Sequence, residues 1–180
     1  NKCPKFNRAI YVHGEKILLH KIENSTGAER VAHINDLMLL YDQSREHSPS
    51  KYDEGEVLVD KANLAYKYKK ELAKSDEQLF NMFDSAYVKD VKNFTNAKGL
   101  YTYFSLMVDL FDAGKKPAPE MFNKYDDVTE VIENIIANNT LSLNKLVEKE
   151  EAGGTLTSRE GKLKKYYEAN IKAFEEQVVP

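Results

Sequence analysis

The stretch "YTYFSLMVDLFDAGKKPAPEMFNKYDDVTEVIE", residues 101–133, joins two amphipathic patterns across one strong stop. The stop combines Gly114 with Pro117 and Pro119, which end one helix and can open the next. Because the connection is short, the two helices must lie antiparallel, and the stretch predicts a helical hairpin. After the stop, apolar residues recur every three or four positions, the period of an α-helix, at Phe122, Tyr125, Val128, Ile132 and Ile135.

The same signals predict helices along the whole chain and no sustained strand pattern. Three helix starts carry a hydroxyl three residues before Glu or Gln, the spacing of a capping box, at Thr26 with Glu29, Ser75 with Gln78, and Thr157 with Glu160. We predict an all-α fold built of antiparallel helical hairpins. Its helices run at about 5–23, 27–46, 54–73, 76–91, 96–113, 118–138 and 158–177, with a shorter helical piece near 141–151.

The length of 180 residues suits one domain or a short run of helical repeats. We therefore treat residues 1–180 as a single helical-repeat domain. The chain opens without a methionine, a charged leader region or an apolar leader segment, so we expect it to be a fragment of a longer protein. Gly153 and Gly154 predict a hinge near residues 152–156, ahead of the last helix.

Composition and charge exclude several classes of protein. The chain carries 26 basic and 29 acidic residues, a formal net charge of −3, and this balance gives no reason to expect nucleic acid as a partner. No apolar run approaches the roughly 20 residues that a membrane-spanning helix needs. The single cysteine, Cys3, excludes an internal disulfide framework and a multi-cysteine zinc site. We expect it to be a structural thiol.

Five residues near the N terminus could form a metal or catalytic site: His13, His20, Glu23, Glu29 and His33. A di-iron site in a helical bundle needs two Glu-x-x-His motifs and two further glutamates. Here the order is His-x-x-Glu once and Glu-x-x-x-His once, so we expect solvated or capping roles. We assign no catalytic, cofactor-binding or metal residue, no cofactor and no enzymatic activity, because phosphate-binding loops and nucleophile motifs are also missing. A helical-bundle metal-binding protein or enzyme that uses these five residues stays an alternative.

The aromatic side chains are 11 tyrosines and 8 phenylalanines, with no tryptophan. They cluster between residues 66 and 111 and again at Phe122, Tyr125, Tyr166, Tyr167 and Phe174. We expect most of the aromatic side chains to fill the core between packed helices. A few tyrosines are candidates for the inner groove of a binding surface, because they offer a large apolar area with a polar tip. The residues alone do not show which tyrosines these are, so the protein-binding residues stay unassigned.

Three stretches resemble tetratricopeptide-repeat proteins of the Bacteroidota cell envelope. They are "CPKFNRAIYVHGEKILLHKIENSTGAE" at residues 3–29, "INDLMLLYDQ" at residues 34–43, and the opening hairpin at residues 101–133. Their shared features are packing motifs rather than chemical ones. The chain departs from the strict repeat consensus, since tryptophan is missing and the roughly 34-residue period does not hold.

The resemblance implies hairpins stacked as a right-handed α-solenoid of the tetratricopeptide type. It also implies a non-enzymatic scaffold for protein–protein interaction, located in the periplasm or associated with the outer membrane. Its partners would be proteins, and some helical-repeat relatives act with outer-membrane secretion or assembly machinery. A structural spacer within a larger envelope protein is the other alternative. The sequence leaves open the partner, the binding face, the oligomeric state and the flanking segments.

Overall fold

A computed structural model describes residues 7–177. Helices account for 81% of these residues, and no strand occurs among them. The all-α prediction is therefore confirmed, while Cys3 and the start of the first predicted helix lie outside the described residues. The helices are α1 (Ala9–Glu23), α2 (Gly27–His47), α3 (Glu54–Lys67), α4 (Asp76–Asp90), a 3₁₀ turn (Val91–Asn93), α5 (Ala97–Asp112), α6 (Ala118–Glu151) and α7 (Ser158–Gln177).

Two of the three predicted capping boxes are present. At α4, the Gln78 N–H donates to the Ser75 hydroxyl over 3.2 Å, and the Ser75 N–H donates to the Gln78 side chain over 3.1 Å. At α7, the Glu160 N–H donates to the Thr157 hydroxyl over 3.2 Å, and the Thr157 N–H donates to the Glu160 carboxylate over 2.7 Å. Each pair satisfies backbone donors that a helix start leaves without partners.

The predicted capping box at the start of α2 is wrong. Within the described residues, the Thr26 side chain makes no capping hydrogen bond. The Glu29 carboxylate instead lies 3.7 Å from the His33 ring, one turn further along the same helix. A partner at that spacing competes for the glutamate that a capping box requires.

Two predicted helix ends are also wrong. The predicted break between residues 138 and 141 is absent, because α6 continues through it to Glu151. Asparagine and threonine weaken a helix far less than glycine or proline, and the Ser142 hydroxyl donates back to the Asn138 carbonyl over 2.9 Å. By contrast, α3 ends at Lys67 instead of residue 73, and a turn follows in which Ala73 adopts a left-handed φ of 48°.

The described residues divide into two compact units, Asn1–Gly99 and Leu100–Pro180, with the division inside α5. We call them unit 1 and unit 2. In unit 1, α1 and α2 run antiparallel, because Glu15 contacts Tyr41 while Ile22, nearer the end of α1, packs with Ile34, nearer the start of α2. A core cluster of buried side chains spans these two helices and α3. Its members are Ile22, Ile34, Leu37, Leu64 and Tyr68.

In the hairpin of α3 and α4, the start of α3 lies very close to the end of α4, at Gly55 and Asp90. The Gly55 N–H donates to the Asp90 carboxylate over 2.9 Å. This hydrogen bond is the main cause that lowers the pKa of Asp90. The Asp90 carbonyl oxygen lies 2.8 Å from the position that a Cβ at residue 55 would take, so only glycine fits there. Further along the chain, the Phe83 and Phe94 rings stack at 6.4 Å.

In unit 2, α6 and α7 form an antiparallel hairpin that ion pairs hold at its tip. The Lys149 ammonium lies 2.8 Å from the Glu160 carboxylate, and Lys164 lies 2.6 Å from Glu150. The connection between these helices contains residues 152–156, and its action as a hinge stays a prediction. No helix within residues 7–177 is long and apolar enough to cross a membrane.

Candidate functional site

A cavity of about 120 Å³ lies in unit 1, among α1, α2 and the start of α3. Its lining combines carboxylates with phenol rings. The carboxylates are those of Glu15, Glu56 and Asp60, and the phenol rings are those of Tyr11, Tyr41 and Tyr52. The exposed side chains of Arg8 and Glu56 also line it, so the cavity opens to solvent.

Helical spacing brings these side chains together. Tyr11 and Glu15 are four residues apart on α1, and Glu56 and Asp60 are four apart on α3, so each pair shares one helix face. Gly14 lets α2 approach α1 closely, since a Cβ there would meet the Leu40 side chain at 3.2 Å. The result is a cavity whose walls come from three successive helices.

One of the carboxylates is held by a tyrosine. The Tyr41 hydroxyl donates to the Glu15 carboxylate over 2.9 Å. Burial, followed by this hydrogen bond, strongly raises the pKa of Tyr41, so its phenol stays protonated. Because the hydroxyl proton goes to Glu15, the oxygen of Tyr41 keeps its lone pairs available as acceptors. Glu15 and Tyr41 thus form a fixed pair of acceptors.

Asp60 is the most perturbed acid of the site. Its pKa is raised to about 7, chiefly by burial and then by the negative charges of Glu56 and Glu15. Between residues 7 and 177, no Lys, Arg or His side chain forms an ion pair with Asp60, Glu56 or Glu15. Three acids and one cation, Arg8, therefore line the cavity, and the acids form no ion pair with a side chain of the described residues.

Tyr52 forms the aromatic wall of the cavity. The Arg8 guanidinium lies 5.1 Å from the centre of its ring, within the range of a cation–π contact. The rings of Tyr52 and Tyr11 pack edge to face, with their centroids 6.0 Å apart. The Tyr52 hydroxyl oxygen is buried and has no hydrogen-bond partner within the described residues. An unsatisfied buried hydroxyl is costly, so it is a group that a bound ligand could satisfy.

The structure separates most of the five residues of the N-terminal metal or catalytic hypothesis. His13 is exposed, and the His20 ring lies 3.2 Å from the Asn24 side chain. Glu23 lies 3.8 Å from Lys67. Only Glu29 and His33 come together, at 3.7 Å.

No three His, Cys, Asp or Glu side chains among residues 7–177 are grouped so that they could hold a metal ion. Cys3 lies outside this range. The structure therefore offers the metal hypothesis a single pair of side chains, from neighbouring turns of α2.

Sequence reasoning did not single out Glu15, Glu56 or Asp60. The sequence did indicate that Asp60 is buried, because this residue lies three positions after Val57 and four before Leu64, both of which are buried on α3. A carboxylate at a position where the helical period requires a core residue is expected to be buried. Glu15 and Glu56 carry no such mark, since their role appears only when α1 and α3 face the same cavity.

Aromatic burial was predicted correctly only in part. Between residues 66 and 111 the buried aromatic side chains include Tyr68, Phe80, Phe83, Phe94 and Tyr103. In the second cluster Phe174 is fully buried, whereas Phe122, Tyr125 and Tyr166 are exposed. The acids Asp126, Asp127, Glu130 and Glu133 of α6 are all exposed.

Comparison of the chain with protein-family models, with curated proteins and with solved structures finds no match.

Proposed function

We propose that this chain is a non-enzymatic helical-repeat protein that binds other proteins. The observation that carries the proposal is the pairing of successive helices into antiparallel hairpins. The pairs α1–α2 and α3–α4 belong to unit 1, and α6–α7 belongs to unit 2. Helical hairpins in series are the building unit of repeat proteins that use a concave surface for binding.

The finer architecture that we propose is a right-handed solenoid of the tetratricopeptide type. A single hairpin cannot bury its apolar faces alone, so neighbouring hairpins must stack to complete the core. In unit 1, α2 also contacts α3, and the Lys61 ammonium lies 2.7 Å from the Asp42 carboxylate across this pair. This contact between hairpins supports stacking. A crystal structure in which successive hairpins lack a common right-handed rotation would contradict the solenoid.

The proposed partner is a protein of the bacterial cell envelope, and outer-membrane secretion or assembly machinery is one class of candidate. This part of the proposal rests on the resemblance of residues 3–29, 34–43 and 101–133 to envelope repeat proteins. The location in the periplasm or at the outer membrane has the same basis. A purely structural spacer in a larger envelope protein, or a metal-binding protein or enzyme, would be an alternative outcome of the test.

The test is affinity capture with the intact chain from a Bacteroidota envelope fraction, followed by cross-linking and mass spectrometry. We expect one partner protein in a fixed ratio. An unrelated acidic helical protein on the same support is the control for adhesion. Absence of any partner beyond the control would favour a spacer. Stoichiometric metal in the purified protein, lost in His20→Ala, would instead support the metal hypothesis and overturn the proposal.

A further inference from the structure

We propose that the cavity in unit 1 binds an alkylammonium group, the positively charged end of a primary amine. Such a group could come from a free small amine or from a lysine side chain of another protein. The inference depends only on the cavity, and it would hold even if the chain bound no protein partner.

Charge is the first argument. Glu15, Glu56 and Asp60 line the cavity with a single cation, Arg8, so acids outnumber basic groups there, and no cationic side chain within residues 7–177 forms an ion pair with the three acids. Carboxylates that share a small space repel one another and favour a bound positive charge. Because walls of low dielectric constant focus this potential, the cavity attracts small cations from solvent.

The aromatic wall is the second argument, because tyrosine rings also attract cations. Tyr52 already holds the Arg8 guanidinium 5.1 Å from its ring centre, so a bound ammonium would share this ring with Arg8 or displace it. Tyr11 and Tyr41 add two further phenols to the lining. Carboxylates together with aromatic rings are the combination by which proteins recognise organic ammonium ions.

The arrangement of acceptors favours an ammonium over a metal ion. An ammonium has three N–H donors that diverge, and each can reach a separate acceptor. The cavity offers acceptors on different helices: Glu15 on α1, the Tyr41 oxygen on α2 and Asp60 on α3. Within the described part of the chain no three acidic or imidazole side chains converge as a metal ion requires.

Glu15 is a poor partner for a guanidinium, whose planar fork is best satisfied by both oxygens of one carboxylate. In the cavity, a Glu15 oxygen already accepts the hydrogen bond of the Tyr41 hydroxyl.

The volume of the cavity also suits an alkylammonium group. An apolar cavity of about 150 Å³ can hold benzene, so the cavity of about 120 Å³ has room for an ammonium and several methylene groups.

Proton linkage makes the inference specific to Asp60. Because burial and then Glu56 and Glu15 raise the pKa of Asp60 to about 7, a fraction of this side chain is protonated near neutral pH. A bound cation favours the ionised carboxylate, so binding must displace that proton. Affinity for the amine should therefore rise as the pH increases through 7 and level off above it.

Isothermal titration of the intact chain with butylamine tests the inference. We expect saturable binding that n-butanol, a neutral molecule of similar shape, does not reproduce. Asp60→Asn should weaken the binding about tenfold or more, as expected for the loss of a charge-assisted hydrogen bond. Asp126→Asn removes the same charge from an exposed position of α6 that does not line the cavity, and it should bind butylamine like the natural chain.

Further measurements identify the source of the ammonium and control for loss of the fold in the variant. Nα-acetyl-lysine amide that binds as well as butylamine would indicate a lysine side chain of a protein, whereas binding of butylamine alone would indicate a free amine. If circular dichroism shows that Asp60→Asn is unfolded, Glu56→Gln replaces it, because the Glu56 side chain is exposed. Binding that persists equally in the cavity variant and in Asp126→Asn, or no saturable binding by the natural chain at pH 8, would overturn the inference.

Discussion

Asp60 in unit 1 and Glu160 in unit 2 are both carboxylates, yet their pKa values shift in opposite directions. Burial, followed by the charges of Glu56 and Glu15, raises the pKa of Asp60 to about 7. For Glu160, the hydrogen bond from Lys149 and then those from Thr157 lower the pKa to about 2. The direction of the pKa shift is therefore decided by the surroundings of each acid, which are burial at Asp60 and hydrogen-bond donors at Glu160.

The contrast shows two uses of negative charge in one helical protein. Unit 2 places its acid where a lysine and a helix start satisfy it, so the carboxylate fixes the tip of the α6–α7 hairpin. Unit 1 places acids in a cavity where the described residues provide no ion pair. Natural proteins keep such unsatisfied polar groups mainly where function requires them. Unit 1 is thus the stronger candidate for a binding site.

The largest expected effect concerns aromatic packing in the two units. Phe83 is 0% exposed and stacks on Phe94, whereas Phe122 is 60% exposed. We expect Phe83→Ala to lower the free energy of unfolding by ~3–5 kcal/mol, since the substitution leaves a cavity. Phe122→Ala should change it by less than about 0.5 kcal/mol. Urea denaturation followed by circular dichroism measures both, and similar losses for the two variants would contradict the assigned burial.

Much of this fold, and little of the site, could be predicted from sequence. The helices and two capping boxes follow from local rules, because apolar spacing and Ser75 or Thr157 act within one turn. The uninterrupted α6 could not be predicted, since Asn138 and Asn139 weaken a helix without ending it. The cavity depends on three helices whose contacts no local rule fixes, and only the placement of Asp60 among apolar residues hinted at it.

The next effect tests the pKa contrast directly. The folded-state pKa of Asp60, about 7, lies above its usual value of 3.8, so the native state binds the extra proton and the contribution of Asp60 to stability falls as the pH rises from 4 to 8. We expect Asp60→Asn to raise the free energy of unfolding by ~2–4 kcal/mol at pH 8 and to leave it nearly unchanged at pH 4. Urea denaturation at the two pH values measures the difference.

Glu160→Gln provides the control of opposite sign. The folded-state pKa of Glu160, about 2, lies below its usual value of 4.5, so its contribution to stability is present above pH 4.5 and disappears as the pH falls through 2. The variant should be less stable than the natural chain at pH 7, and this difference should shrink in acid. An equal pH profile for the Asp60 and Glu160 variants would refute the contrast.

A smaller effect compares two helical glycines. A Cβ at residue 55 would meet the Asp90 carbonyl oxygen at 2.8 Å, whereas a Cβ at residue 161, in α7, would meet nothing within 4 Å. We expect Gly55→Ala to destabilise the protein by ~1–3 kcal/mol through overpacking. Gly161→Ala should stabilise it by ~0.5–1 kcal/mol, because alanine favours a helix interior. Thermal denaturation measures both, and a gain in stability for Gly55→Ala would show that α3 and α4 lie further apart.

The smallest effect tests the helix starts in the two units. Ser75 in unit 1 and Thr157 in unit 2 both accept a backbone hydrogen bond and belong to complete capping boxes. Alanine at either position should lower the free energy of unfolding by ~1 kcal/mol, the usual contribution of such a cap. Thr26, whose side chain makes no capping bond within the described residues, provides the matched control. Thr26→Ala should change stability by less than about 0.5 kcal/mol. A loss at Thr26 equal to the other two would mean that its hydroxyl does cap α2 in solution.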